Sequence, residues 1–344
     1  MSRYTMHPTG RKAGISCKVI DNDEINVVDE TPDEIEVARQ SSLSPDNFHD
    51  LNNDFEEQQL CEETPEKTTE DEAFAKLLEL CDEERIINWE EFLNLYENFK
   101  CIEKLGEGDY GEVFRVAYNE KEYALKVIPI TDTNSAEIIY SEVFISRQVS
   151  ELNDGDSCFI KLLRASVVKG IYHDKLIDKW HKYKFENKDG EAINRAPPLD
   201  KNNKYCCLLM ENGGITLQSF LKNKIESPSE CASIFFQVLF ALAAAEQNIE
   251  FEHRDLHIGN ILISYSDSGK EKWEDEKRFL FNDKEIIINS HGLNVKIIDF
   301  TNSRIINSDG MPIYVDLAEA EGIFDGDASE EYQFEIPRMM RKYN

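Results

Sequence analysis

The segment 253–260, with the sequence His-Arg-Asp-Leu-His-Ile-Gly-Asn, constrains the possible folds of this chain more than any other. Its Asp255 and Asn260 stand five residues apart before an apolar run, and Asp299 follows a second apolar run. An aspartate can accept the proton of a hydroxyl group, and an asparagine and a second aspartate can hold magnesium through oxygen ligands. The spacing therefore indicates a phosphoryl-transfer site on loops that adjoin two short strands.

The segment 106–113 has the glycine pattern Gly-x-Gly-x-x-Gly-x-Val. A turn that binds a dinucleotide also fits this pattern, but a helix should then follow the glycines directly. Residues 113–118 instead alternate in the manner of a strand. We therefore expect a strand–turn–strand loop that closes over the phosphates of ATP, and an ordinary glycine hairpin is the alternative.

Lys126 lies in a strand-like run fifteen residues after Gly111. In kinase-type sites a strand lysine neutralises the α- and β-phosphates, and a glutamate on a helix holds that lysine in place. Our candidate for the glutamate is Glu142, and Glu137 is the alternative. Both lie in a segment with helical spacing, 136–152.

Hydrophobic periodicity divides the chain into three regions. Residues 1–70 are acidic and poor in aromatic side chains, so we expect them to be disordered. Residues 71–99 have helical spacing and should lead into an α+β domain spanning 100–344. Strands are predicted at 101–105, 113–118, 123–128 and 204–210, and helices at 136–152, 216–225 and 229–247.

The formal net charge of −30 restricts the partners of the chain. A charge of this sign argues against direct binding to nucleic acid or to an anionic membrane, and it favours basic partners or simply solubility. The eight cysteines form no Cys-x-x-Cys pair and the N-terminus has no apolar signal-like run, so we expect reduced thiols in the cytosol or nucleus. The apolar run 231–245 is too short to span a bilayer and predicts a buried core helix.

Several residues depart from the pattern of most protein kinases. His257 stands where most of them have lysine, and Thr301 stands where the triplet Asp-Phe-Gly has its glycine. Together with the hinge-like segment 211–215, these residues resemble those of haspin-type serine/threonine protein kinases, an atypical eukaryotic family. The similarity runs from about residue 100 to the end, and it includes Phe324, Gly326, Asp327, Tyr332, Gln333 and Phe334.

The resemblance implies a bilobal protein-kinase fold, with a small antiparallel β N-lobe at 100–212 and a mainly helical C-lobe at 213–344. It implies a Mg-ATP-dependent kinase in which Asp255, Lys126, Glu142 and Asn260 are catalytic and in which Asn260 and Asp299 hold Mg²⁺. Met210 would be the gatekeeper beside the adenine. The residues expected around ATP are Leu105, Gly106, Glu107, Gly108, Asp109, Tyr110, Gly111, Glu112, Val113, Ala124, Lys126, Met210, Glu211, Asn212, Gly213, Thr216, Asp255, Asn260, Asp299, Phe300 and Thr301.

The resemblance also implies a substrate. The family phosphorylates a threonine near the start of the histone 3 tail, so we expect a monomeric kinase in the nucleus or on mitotic chromosomes, with the cytoplasm as the alternative. It further implies activity without phosphorylation of the activation loop. Family members hold the basic tail with acidic residues at two places; Thr216 and Gln218 occupy the first here, and the candidates at the second are Asp327, Glu330 and Glu331.

The chain ends at Asn344, near the helix predicted after Gln333, whereas the family continues with further helices. We therefore expect a C-lobe that is short relative to the family. A pseudokinase or ATP-binding scaffold with an incomplete C-lobe is accordingly the alternative to an active kinase. A phosphotransferase for small molecules is a third interpretation, against which Thr301 and the hinge argue.

Overall fold

A computed structural model defines most of the chain from residue 70 onward. The residues that it describes are 18–21, 24–27, 70–108, 111–152, 157–187, 194–223, 225, 227–266, 275–317, 329, 332 and 335–343. The strands are β1 (Lys18–Asp21), β2 (Glu24–Val27), β3 (Ile86–Asn88), β4 (Lys100–Gly108), β5 (Gly111–Tyr118), β6 (Lys121–Ile130), β7 (Leu162–Lys169), β8 (Lys204–Glu211), β9 (Ile215–Thr216), β10 (Ile261–Tyr265), β11 (Glu276–Phe281), β12 (Lys284–Asn289), β13 (Leu293–Ile297), β14 (Arg304–Ile306) and β15 (Pro312–Tyr314). The helices are α1 (Glu70–Glu79), α2 (Trp89–Asn94), α3 (Ala136–Glu151), α4 (Asp174–Glu186), α5 (Leu217–Asn223), α6 (Pro228–Ile249) and α7 (Glu335–Tyr343).

A six-stranded sheet, in the order β3-β7-β8-β6-β5-β4, forms the N-terminal part of the fold. Its neighbouring strands are antiparallel except β3 and β7. The four predicted strands fall within β4, β5, β6 and β8. The mixed α+β class predicted from the sequence is confirmed.

Strand β8 shows how this sheet divides the core into two layers. Because side chains alternate between the faces of a strand, Tyr205, Cys207 and Leu209 lie on one face and Cys206 and Leu208 on the other. The first face packs against side chains of α2 and α4, and the second packs against α1 and α3. An unbroken apolar run at β8 thus corresponds to a strand that is covered on both sides.

Helix α3 carries the predicted Glu142 across the second face. The helix begins after Ser135, whose hydroxyl accepts a hydrogen bond from the amide of Ile138 at 3.4 Å and caps the first turn. Ile139 and Val143, one turn apart, are buried against the sheet. Glu142 lies on the same side of the helix and is buried with them.

The predicted helical lead-in, 71–99, contains α1, α2 and also the strand β3. Ile86 of β3 pairs in parallel with Val167 of β7, so this region adds an edge strand to the sheet. Trp89, the first residue of α2, packs among the rings of Phe92 and Tyr205. The lead-in is therefore part of both core layers.

Helix α6 is the centre of the C-terminal part. Ser227 caps its start and Pro228 occupies the first turn, where the missing N–H is not needed. The helix packs against β11, β12 and β13. The small sheet β13-β10-β9 places the segment 253–260 before β10 and Asp299 just after β13.

Helix α6 is also the one described helix whose length and composition would allow it to cross a membrane. Gln237 at its middle is fully buried. Its Nε2 donates to the carbonyl of Leu293 at 3.1 Å, and its Oε1 accepts from the amide of Val295 at 3.2 Å. The side-chain amide thus pairs with the edge of β13 as a strand backbone would, so the middle of the helix is packed against the C-terminal sheet.

The strands β11 and β12 form an antiparallel hairpin in the polar segment between Asn260 and Asp299. Strand β1 pairs with β12, and β2 pairs with β1, so the hairpin becomes a four-stranded sheet. These two short strands depart from the disorder predicted for 1–70, because the hairpin edge offers partners to their backbone groups. The other residues before Glu70 lie outside those that the structure describes.

Two elements follow Asp299. The hairpin of β14 and β15 comes first, and β15 contacts α3. Helix α7 contains Pro337 in its first turn, where a proline interrupts no helical hydrogen bond. The family-like residues Phe324, Gly326, Asp327, Gln333 and Phe334 lie outside the described residues.

Replacing Gln237 by Leu should destabilise the protein, because two backbone groups of β13 would lose their buried partner. A buried polar group without a partner costs about 1–3 kcal/mol, so for two groups we expect the free energy of unfolding to fall by roughly 2–6 kcal/mol. Urea denaturation followed by tryptophan fluorescence measures the change. The matched control is Gln247→Leu on the same helix, whose amide oxygen accepts from the exposed Asn282 backbone. Equal losses in both variants would contradict the role of Gln237.

Candidate active site

Lys126 and Glu142 meet between β6 and α3. Nζ of Lys126 lies 2.6 Å from Oε1 of Glu142, and both side chains are almost buried. Of the two candidates, Glu142 rather than Glu137 contacts the lysine. Burial alone would lower the pKa of Lys126, but the carboxylates of Asp299 and Glu142 outweigh it and hold the pKa above its ordinary value. The lysine is therefore a fixed cation at neutral pH.

Asp299 completes a cluster with this pair. Its Oδ1 lies 3.2 Å from Nζ of Lys126 and 2.9 Å from Oγ1 of Thr301, and the same Oγ1 lies 2.9 Å from Oε2 of Glu142. Burial alone would raise the pKa of Asp299, but Lys126 and the hydroxyl of Thr301 outweigh it and keep the pKa below its ordinary value. Asp299 is therefore ionised at neutral pH, as a metal ligand must be.

Thr301 has a role in this cluster that the motif pattern did not predict. A hydroxyl has one proton, so Thr301 donates to Glu142 or to Asp299 and links the two carboxylates. A glycine at this position could make neither contact. In the sequence, the only sign of this role was that Thr301 replaces the glycine of the Asp-Phe-Gly triplet. The contacts of its hydroxyl explain that replacement.

The catalytic-loop segment orients Asn260 through its own hydrogen bonds. Nδ2 of Asn260 donates to the carbonyl of Asp255 at 3.0 Å, and the amide of Ile298 donates to the carbonyl of Asn260 at 3.0 Å. Because the side-chain nitrogen is used in this way, Oδ1 is the atom that Asn260 would offer to a cation. The second bond brings the loop next to the strand end that carries Asp299.

His253 joins the same two segments. Its Nε2 lies 3.0 Å from the carbonyl of Ile298, and its Nδ1 accepts from the amide of Asp255 at 3.4 Å, so Nε2 carries the proton. The hydroxyl of Ser303 donates to the carbonyl of His253 at 3.2 Å. Burial lowers the pKa of His253, and the imidazole is accordingly neutral. His253 is thus a structural link between the two loops of the site.

Asn260 and Asp299 offer an amide oxygen and a carboxylate, which are hard oxygen donors of the kind that Mg²⁺ prefers. Among the residues that the structure describes, no group of three or more His, Cys, Asp or Glu side chains could hold a metal ion. Magnesium at nucleotide sites uses one or two protein ligands together with phosphate oxygens. The donor set therefore fits magnesium that arrives with a nucleotide.

The glycine-rich loop joins β4 to β5, and β5 begins directly at Gly111. A strand after the glycines excludes the dinucleotide-binding turn. A Cβ atom at Gly111 would lie 2.5 Å from the carbonyl oxygen of Val127, so only glycine fits this close approach. A Cβ atom at Gly106 or Gly108 would meet no heavy atom within 4 Å, so both glycines face open space. Asp109 and Tyr110 lie outside the described residues.

The end of β8 forms the predicted hinge. Oε1 of Glu211 accepts from the amide of Lys161 at 2.9 Å and lies 2.7 Å from Nζ of Lys296. This carboxylate therefore holds the hinge to the C-terminal sheet. Met210 pairs across the ladder with Ala124 of β6 and packs against the cores of both halves, as a residue beside the nucleotide would.

The residues after Glu211 make a tight turn. Gly214 has a φ of 100°, and a Cβ atom at Gly213 would lie 2.7 Å from the side chain of Leu262. The amide of Gly214 donates to Oδ1 of Asn212 at 3.1 Å. The hydroxyl of Thr216 accepts from the amide of Ser219 at 3.2 Å, so it supports the start of α5.

Three more predicted ATP-site residues also use their side chains in contacts within the protein. Phe300 is buried in the C-terminal core against Phe159 and Phe251. Glu107 and Glu112 are buried beneath the glycine-rich loop, in contact with Lys104. Any contact of these three residues with ATP would come from the backbone. Two further predicted ATP-site residues, Leu105 and Val113, lie on β4 and β5, the strands that flank the glycine-rich loop.

Arg254 and its neighbours form an ion-pair network that the motifs did not reveal. Nε of Arg254 lies 2.9 Å from Oε2 of Glu252, and its guanidinium lies 5.7 Å from the ring centre of Tyr314. Oε1 of Glu252 also lies 3.3 Å from Arg304. Nδ1 of the exposed His257 accepts a hydrogen bond from the amide of Gly259 at 3.0 Å.

The candidate substrate-binding residues Asp327, Glu330 and Glu331 lie outside the described residues. The binding of a basic tail by these acidic residues therefore stays a prediction.

Comparisons of the sequence with a family model and with individual proteins point to the same family. Residues 34–344 match the model of the haspin like kinase domain. The chain is 35% identical over 282 residues to the serine/threonine-protein kinase haspin of Bos taurus, covering 78% of this chain and 34% of that protein. It is 34% identical over 276 residues to the haspin of Mus musculus (77% and 35%) and 31% identical over 283 residues to the haspin homolog hrk1 of Schizosaccharomyces pombe (78% and 54%). The matches thus cover about a third to a half of these relatives, and the family match includes the lead-in.

Because the folded protein keeps His253 neutral, its free energy of unfolding should decrease at acidic pH. The folded protein keeps this imidazole neutral because its pKa is lowered from 6.5, whereas the unfolded chain takes up a proton near that pH. The unfolded state then binds more protons, so the free energy of unfolding decreases as the pH falls below about 6.5. Urea denaturation at pH 7.5 and 5.5 measures the decrease.

His253→Gln, which cannot take up this proton, should show a smaller decrease between the two pH values. The exposed His181→Gln is the control and should retain the full decrease. If the two variants showed the same pH dependence, the neutral state of His253 would not be the cause.

Proposed function

The chain belongs to the haspin-like kinase family, and we propose on that basis that it is a Mg-ATP-dependent serine/threonine protein kinase. The cluster of Lys126, Glu142, Asp299 and Thr301 carries the proposal. It places the ammonium of Lys126 2.6 Å from Glu142 and 3.2 Å from Asp299, where β6, α3 and the segment after β13 meet. Charges arranged in this way match the phosphates of ATP and the magnesium that accompanies them.

Each residue has a defined task in the transfer. The ammonium of Lys126 attracts the α- and β-phosphates, and Glu142 keeps it from turning away. Asp255 accepts the proton of a serine or threonine hydroxyl of the substrate. The hydroxyl oxygen then forms a bond to the γ-phosphorus as the bond from that phosphorus to ADP breaks. Oδ1 of Asn260 and the carboxylate of Asp299 would hold magnesium, which neutralises charge on the phosphates.

Two contacts support activity without phosphorylation of the activation loop. In many kinases the activation loop becomes ordered only when a phosphorylated residue in it pairs with an arginine. Here Arg254 is already paired with Glu252 at 2.9 Å. The hydroxyl of Thr301 also links Glu142 to Asp299, which joins α3 to the segment after β13 without any added charge.

The proposed substrate is a basic protein tail such as that of histone 3, and the proposed location is the nucleus or the chromosomes. The net charge of −30 favours a cationic partner over nucleic acid. A hydroxyl on such a tail would need to reach Asp255. ATP binding without transfer, as in a scaffold, is the alternative that the experiments below distinguish.

The Asp255→Asn and Lys126→Ala variants test the roles in catalysis. General-base catalysis contributes about 10²–10⁴-fold to a rate, so Asp255→Asn should lower turnover by a factor in this range without unfolding the protein. The measurement is transfer of labelled phosphate from Mg-ATP to a library of histone-tail peptides. The exposed Asp309→Asn is the matched control and should keep the wild-type rate.

Thermal unfolding with and without Mg-ATP belongs to the same experiment. A ligand at 100 times its Kd stabilises a protein by about 2.7 kcal/mol, so a nucleotide-binding chain should gain several degrees. Stabilisation without any transfer would favour the scaffold. Near-normal turnover in Asp255→Asn would show that the assigned proton acceptor is wrong.

Treatment of the purified protein with phosphatase should leave its turnover unchanged, because Arg254 and Thr301 already have their partners. Mass spectrometry before and after treatment checks that phosphate has been removed. A large loss of activity would contradict the proposed independence from phosphorylation.

A further inference from the structure

The two strands of the glycine-rich loop place Glu107 directly opposite Glu112. Like charges in directly opposed positions destabilise an antiparallel pair. Both side chains are also almost buried, with exposed fractions of 3% and 8%, so water screens their repulsion poorly. The hairpin therefore needs positive charge and hydrogen-bond donors at this point.

Lys104 provides the positive charge, and a β-bulge in β4 turns it toward the two glutamates. The pairing register shifts between Lys104 and Gly106, which leaves Leu105 as an extra residue. The extra residue reverses the alternation of side chains, so Lys104 lies on the same face as Glu107, and Leu105 faces outward. Nζ of Lys104 contacts Oε2 of Glu107 and Oε2 of Glu112, and its side chain has no exposed surface.

Helix α4 covers this buried lysine. Nε1 of Trp180 donates to Oε1 of Glu112 at 3.1 Å. Nζ of Lys104 lies 4.5 Å from the ring centre of Tyr183, a distance at which an aromatic ring attracts a cation. The helix thus contributes a donor to one carboxylate and an aromatic surface to the cation.

Asn194, which follows α4 in the chain, reaches both strands of the loop. Its backbone N–H donates to Oε1 of Glu107 at 2.7 Å. The side-chain Nδ2 lies 3.2 Å from Oε1 of Glu112 and 3.3 Å from the carbonyl of Gly108. Nζ of Lys184 donates to the carbonyl of Asn194 at 3.3 Å and ties this segment back to α4.

We propose that Lys104, Trp180, Tyr183 and Asn194 form a loop clamp, a set of positioning residues that holds the glycine-rich loop in place before nucleotide binds. The clamp fixes one residue on each side of the loop tip, Glu107 on β4 and Glu112 on β5. A loop that is already ordered loses less conformational freedom on binding. The clamp therefore acts mainly on nucleotide affinity, and this consequence rests on the proposed function because it takes ATP as the ligand of the loop.

The Asn194→Ala variant tests the clamp. It removes the Nδ2 contacts to Glu112 and Gly108 and leaves Lys104 and Trp180 in place. The control is Asn187→Ala, which removes a hydrogen bond from Nδ2 of Asn187 to the carbonyl of Tyr183 at the end of α4 and touches no residue of the loop. Trp180→Phe, which keeps a ring and removes the N–H donor, is the second clamp variant.

Amide hydrogen exchange in the full chain without nucleotide is the first readout. Exchange of residues 106–113 should accelerate by roughly tenfold in Asn194→Ala, as expected when a hydrogen bond to a charged group is lost, and it should stay unchanged in β7 and β8. The KM for ATP should rise by about tenfold while kcat changes by less than about threefold. Asn187→Ala should match the wild type in both measurements, and Trp180→Phe should shift both in the direction of Asn194→Ala.

Unchanged exchange of 106–113 in both clamp variants would overturn the proposal, and so would faster exchange spread evenly over the whole sheet, because the residues would then be merely structural. Faster exchange in the loop with an unchanged KM would overturn the effect on nucleotide affinity. If the wild type bound no Mg-ATP while exchange of 106–113 still accelerated in the variants, the proposed function would fail and the clamp on the loop would stand.

Discussion

The contact on which the rest of the structure depends is the buried ion pair of Lys126 and Glu142, together with Thr301 and the partly exposed Asp299 that join it. It joins a strand of the N-terminal sheet, the helix α3 and the segment that follows β13. Removing one partner of a buried ion pair leaves an uncompensated charge, at a cost of about 3–5 kcal/mol. The four side chains therefore hold three separate elements in one relative position, in which, under the proposed function, Lys126 and Asp299 would face the phosphates of ATP and their magnesium.

Other contacts align further parts of the site with this group. His253 links the catalytic loop to the strand end that carries Asp299, and its neutral imidazole is suited to a buried position between two backbone groups. Glu211 ties the hinge to the C-terminal sheet through Lys296. Their common effect is to fix the backbone that carries Lys126, Asp255, Asn260 and Asp299, and the proposed phosphoryl transfer would require such preorganisation.

Local patterns predicted the elements whose side chains alternate or repeat in sequence. The strands β4, β5, β6 and β8 and the helix α3 follow from such patterns, and both candidate glutamates, Glu137 and Glu142, lie on α3. The strand β3 and the hairpin of β11 and β12 did not emerge in this way. A three-residue edge strand carries little periodicity, and the core residues Phe279, Ile286 and Ile288 stand in a segment rich in charged residues. The side chains of Glu107 and Glu112 were placed with ATP, since the motif gives their position in the chain but does not reveal the bulge at Leu105 that turns Lys104 toward them.

By itself the sequence determined the chemical groups and their order along the chain: the glycines, Lys126, Glu142, the segment from His253 to Asn260, and Asp299 with Thr301. These depend on residue type and short spacing, which are read directly from the sequence. Only the tertiary structure decided which carboxylate meets Lys126, where the hydroxyl of Thr301 points, and how the glycine-rich loop is held from behind. Those outcomes depend on contacts between residues up to 175 positions apart, and such distances are closed by the packing of whole elements rather than by any local pattern.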